Sequence, residues 1–86
     1  MNKLFLLPFL FLTFNLTAQK TYVPDDNFEQ SLIDLGHDDV LDDSVLTENI
    51  NEVITLFIAE KDISDLTGIE GFTAMQTLYC FANNLT

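Results

Sequence analysis

Four aspartates, Asp38, Asp39, Asp42 and Asp43, form the densest run of chemically capable side chains in this sequence. Oxygen-rich loops of this kind hold calcium, but an EF-hand loop needs acids at alternating positions, a glycine at the sixth and a glutamate at the twelfth. Val40 and Leu41 interrupt the run, and no glycine follows it in the loop. The spacing favours a solvated turn, keeps a calcium-binding acidic cap as the alternative, and assigns no metal ligand. His37 is the only histidine. It lacks a Cys or His partner at metal-ligand spacing and reads as a surface turn residue. Cys80 is the only cysteine, which excludes an internal disulfide framework. No histidine or basic residue stands near enough in sequence to activate it, so it reads as a small core hydrophobe. Without a Ser/His/Asp or Cys/His set, a phosphate loop or converging acid–base pairs, the chain is expected to be no enzyme and to carry no cofactor.

Charge narrows the partners further. The 86 residues carry 14 Asp and Glu against 3 Lys, for a net charge of −11. Such a surface repels phosphate backbones, so nucleic acid is excluded as a partner. The length allows one small domain with a limited core.

Residues 1–18 have the pattern of a secretory signal: Asn2-Lys3, an apolar run from Leu4 to Leu12, and Leu16-Thr17-Ala18 ahead of polar Gln19-Lys20. The apolar run is short of the roughly 18–20 residues that span a bilayer. Cleavage after Ala18 is therefore expected, giving a secreted or cell-surface protein with no membrane span. Residues 19–52 read as an N-terminal cap with one amphipathic helix over about 25–35. Pro24 stiffens the approach to it, Asp26 and Glu29 stand at capping-box spacing, and Phe28, Leu32 and Leu35 fall on one face beside Ile33. Gly36 suits the left-handed position that ends a helix.

From Val53 onward the apolar positions echo at one offset. Val53 and Met75, Leu56 and Leu78, Ile58 and Cys80, Lys61 and Asn83, and Ile63 and Leu85 are each 22 residues apart. Between the echoes, Ile63, Leu66, Ile69, Phe72 and Met75 recur every third position. The expected fold is an α/β solenoid, in which units bury their apolar faces by stacking. A helical cap precedes short parallel strands with helical or 3₁₀ returns, one unit full and one partial over residues 53–86, as in the N-terminal fragment of a longer protein.

Met75-x-x-Leu78-x-Cys80-x-x-Asn83-x-Leu85 resembles the leucine-rich repeat L-x-x-L-x-L-x-x-N/C-x-L, in its 22-residue internalin-like form. Tyr-Val-Pro-Asp-Asp-Asn-Phe-Glu-Gln and Ile-Ser-Asp-Leu-Thr-Gly-Ile-Glu-Gly-Phe are similar to segments that precede such repeats in secreted surface proteins of the Bacteroidota. The resemblance covers residues 21–86 and implies recognition of a protein or glycan on a concave face, in a cell-surface or adhesion role. It also implies an Asn side-chain ladder at Asn83. Lys61 departs from that pattern, since a lysine cannot accept such bonds and turns outward.

Strand alternation then places Leu56, Ile58, Leu78 and Cys80 inward, and Thr55, Phe57, Ala59, Thr77, Tyr79 and Phe81 outward. Phe57, Tyr79 and Phe81 are the expected ligand-binding residues, because aromatics on a surface that does not need them for folding mark interaction sites. The competing expectation is a purely structural capping segment, with the aromatics serving as cross-strand packing.

Overall fold

The computed structural model describes residues 18–85. The expected signal, residues 1–18, lies outside the described residues except for Ala18. Four three-residue strands and one helix make up the fold: β1 (Lys20–Tyr22), α1 (Asp26–Asp34), β2 (Ser44–Leu46), β3 (Thr55–Phe57) and β4 (Thr77–Tyr79). Single 3₁₀ turns lie at Thr47–Asn49 and Ile69–Gly71. No helix among the described residues is long and apolar enough to cross a membrane.

The strands form two separate two-stranded sheets, which overturns the expected solenoid. β1 runs antiparallel to β2, with Lys20 opposite Leu46 and Tyr22 opposite Ser44. β3 runs parallel to β4, with Thr55 opposite Thr77 and Phe57 opposite Tyr79. The 22-residue offset is thus a pairing register between two strands. The offset reaches back to Ile50 and Phe72, both buried in the core, but β1 and β2 pair with each other in a separate sheet. The expected helical return shrinks to one 3₁₀ turn within an otherwise irregular stretch. A concave face requires several parallel strands, and only this pair is present among the described residues.

α1 forms where the capping residues and apolar spacing placed it, with two corrections. Asp25, not Asp26, is the N-cap: its Oδ1 accepts the backbone N–H groups of Asn27 at 2.9 Å and Phe28 at 3.0 Å. Leu35, expected on the buried stripe, is 46% exposed. Gly36 has φ +88°, its N–H donates to Ile33 C=O, and the His37 N–H donates to Leu32 C=O. That pairing ends the helix by satisfying its last carbonyls.

One core runs under both sheets. Phe28 and Leu32 from the helix pack with Val23, Val45, Ile50, Leu56, Ile58, Ile63 and Phe72. Phe28 and Phe72 stack at 6.4 Å between ring centroids. Burying each large apolar side chain contributes about 1.5–3 kcal/mol. The inward residues of β3 are fully covered, whereas Met75, Leu78 and Cys80 are half-buried against the same core. Gly68, at φ +106°, lets the 64–71 turn press on β1: a Cβ there would lie 2.6 Å from the Tyr22 carbonyl oxygen.

Candidate functional site

Two side-chain groupings stand out, one aromatic and one acidic. The aromatic one is built by the β3–β4 register. Because Phe57 lies opposite Tyr79, their outward side chains meet, with ring centroids 5.4 Å apart. Phe81, two residues beyond Tyr79, meets Phe57 edge-on at 6.1 Å and 90°. All three are about half exposed: Phe57 52%, Tyr79 44%, Phe81 56%. Phe57 is therefore the hub of the cluster. Ala59, expected outward in a row with Phe81, is instead buried. The strand ends at Phe57, and Glu60 takes a left-handed φ of 61°, so alternation does not carry past the strand.

The turns that follow β3 and β4 hold this face in place. Asn83 is a four-way tie: its Oδ1 accepts the Lys61 and Ile63 N–H groups at 2.9 and 3.0 Å, and its Nδ2 donates to the Ile58 and Cys80 carbonyls at 2.8 and 2.9 Å. Glu60 and Ala82, 22 residues apart, both adopt left-handed backbone, with φ 61° and 60°. The Glu60 N–H donates to Phe81 C=O at 3.0 Å, joining the two turns. Lys61 is exposed, as its position predicted.

The acidic grouping was only partly legible. Glu29 was expected to close a capping box, yet it is fully buried. Its carboxylate accepts backbone N–H groups from across the loop, Asp43 at 2.9 Å and Asp42 at 3.2 Å. The carboxylates of Glu29, Asp38 and Asp42 converge, with one oxygen of each within 4.8 Å of the others, and Asp26, Glu29 and Asp43 make a second such group. Asp38 Oδ2 is buried without a hydrogen-bond donor. Burial foremost, and then the neighbouring Asp38 carboxyl, push Glu29 up to about 7, against the pull of the Asp42 and Asp43 amides. The Ser44 backbone N–H, which outweighs partial desolvation, holds Asp42 below the usual range.

This arrangement can hold a proton between Glu29 and Asp38, which would give the orphan oxygen a donor. It is poorly suited to calcium, which takes about 6–8 oxygens, since both Glu29 oxygens are already engaged by amides. Asp39 belongs to neither group, and His37 lines the neighbouring cleft of about 320 Å³ with Lys20, Gly36, Asp38 and Asp42. The run is thus more than the solvated turn its spacing suggested.

A smaller groove of about 270 Å³ opens beside the aromatic hub, lined by Asp34, Leu35, Phe57, Ala59, Glu60 and Lys61. Cys80 is half-buried and packs against the core, far from a nucleophile's setting.

No family model matches the chain, and no curated protein matches it. What the molecule does must be argued from these surfaces. The aromatic cluster offers a contiguous apolar contact area, whereas the acidic cluster faces the protein's own loop.

Proposed function

We propose that this protein is an exported recognition module, related to leucine-rich-repeat surface proteins through its one repeated turn. It binds its partner by surface complementarity, without catalysis, and the contact is made by Phe57, Tyr79 and Phe81. The observation that carries this reading is the packing of the half-exposed Tyr79 and Phe81 rings on the half-exposed ring of Phe57 at the outer face of β3–β4. Aromatic side chains dominate binding hot spots because they desolvate a large area at little cost in rotamer entropy. The apolar signal and the sequence resemblance support export to the cell surface, where the partner is a protein or a glycan.

The test is the double variant Tyr79→Ser/Phe81→Ser in the full protein. Labelled wild type and variant are titrated against intact cells and against a panel of surface glycans, with far-UV circular dichroism as the folding control. Loss of two ring contacts predicts a drop in affinity of at least about tenfold. Equal affinity of a folded variant refutes the proposal.

One observation favours a second, structural reading. Phe57 and Tyr79 are direct cross-strand partners, and such pairs stiffen small sheets. Under that reading the same variant loses stability and no binding is found for the wild type.

A further inference from the structure

The groove beside Phe57 indicates the chemistry of the partner. It lies beside Asp34 and Leu35 at the C-terminal end of α1. Helices commonly place a basic residue there. α1 has none in its last turn and ends in Asp34. Glu60 also lines the groove, and Lys61 is the only cation among its lining residues. Among all described residues only Lys20 and Lys61 oppose 14 acids.

The walls are apolar as well as acidic. Leu35 is 46% exposed and Phe57 52%, while Ala59 lies buried at the base. A volume of about 270 Å³ falls below the range of roughly 300–1,000 Å³ typical of sites for whole small molecules. It suits one long side chain. An exposed ring face, aliphatic walls and two carboxylates together complement a planar cation on an aliphatic stem. Arginine meets all of these, because its guanidinium stacks on a ring while donating to carboxylates.

We infer that the partner is a protein that inserts an arginine side chain into the groove between the end of α1 and Phe57. This rests on the recognition role proposed above and selects protein over glycan. The arginine stem lies along Leu35 and Ala59, its head stacks on Phe57, and Asp34 and Glu60 receive its N–H groups. Tyr79 and Phe81 then contact the partner's surface around that anchor.

The probe is Nα-acetyl-arginine methylamide, titrated into the full protein and followed by amide NMR shifts. The neutral isostere Nα-acetyl-citrulline methylamide serves as control. Shifts at Leu35, Phe57 and Ala59 that saturate with the arginine probe and not with citrulline are expected. Asp34→Asn/Glu60→Gln should weaken the probe at least about fivefold, and Phe57→Leu about two- to fivefold by removing the ring face while keeping an apolar wall. Shift dispersion establishes that each variant is folded. Absent shifts, equal response to citrulline, or undiminished binding by both variants overturns the inference. The Tyr79→Ser/Phe81→Ser variant is assayed for cell binding beside these probe titrations. If that variant loses cell binding while wild type ignores the probe, the recognition role stands and the arginine site falls. If wild type binds the probe yet no cell or glycan binding depends on the aromatics, the recognition role falls instead.

Discussion

Asp25 carries more of this fold than a surface acid ordinarily does. Its Oδ1 caps α1 through the Asn27 and Phe28 amides, while its Oδ2 accepts the Ser64 and Asp65 amides at 2.9 and 3.0 Å. One carboxylate thus joins the start of the helix to the turn after β3. Losing an N-cap costs about 1 kcal/mol. The second arm has two bonds in an exposed setting, each worth about 0.5–1 kcal/mol. Asp25→Ala should therefore cost about 2–3 kcal/mol, a large part of the stability of a small domain. Asp25→Ser keeps the cap and loses the second arm, so it should cost about 1–2 kcal/mol. Urea unfolding followed by far-UV circular dichroism measures both.

The effect should also depend on pH. Burial alone would raise the Asp25 carboxyl, but the Phe28, Ser64, Asp65 and Asn27 amides outweigh it and hold the group below its ordinary 3.8. A carboxyl depressed in the folded state stabilises above its unfolded value and loses that contribution as pH falls through the folded value. The gap between wild type and Asp25→Ala should accordingly narrow in acid below 3.8. A loss under about 0.5 kcal/mol at neutral pH, or a gap that persists in acid, refutes the assignment.

Glu29 has the opposite sign. Raised from 4.5 to about 7, it stabilises fully below 4.5, and that contribution drains away as pH rises through 7. At about 1.4 kcal/mol per pKa unit the swing is at most about 3–4 kcal/mol. Glu29→Gln should flatten the stability profile over this window at a pH-independent cost of about 1 kcal/mol, because its Nε2 cannot accept one of the two loop amides, and millimolar calcium should leave the wild-type profile unchanged; a steep profile in the variant or a calcium-dependent rise in melting temperature contradicts this. Asn83→Ala removes four hydrogen bonds and should cost about 2–4 kcal/mol. Amide exchange should accelerate first at Lys61 and Ile63, and unaltered protection there would show that the tie is dispensable.

The 22-residue echo determined the β3–β4 register, because paired strands with like side chains align like with like. It also set Leu56 inward and Phe57 and Tyr79 outward, since side chains alternate within a strand. The helix was legible because capping, apolar spacing and Gly36 agree locally. The capping-box spacing pointed to Asp26, but the cap is its neighbour Asp25, whose Oδ1 takes the Asn27 and Phe28 amides while Oδ2 reaches Ser64 and Asp65.

Other features depended on contacts distant in sequence. β1 and β2 lie outside the strand echo that links β3 to β4, and their pairing shows only when the chain closes around α1. The two pairs form separate sheets in place of the continuous sheet of the expected solenoid. Glu29 is buried because the loop at Asp42 and Asp43 folds back over it and donates its amides, an event no helical periodicity encodes. Ala59 turns inward because left-handed Glu60 ends the alternation. Local order follows from residue type and spacing, which act over a few bonds. Which carboxylates meet, and which aromatic becomes the hub, follows from packing, because only the folded chain sets those distances.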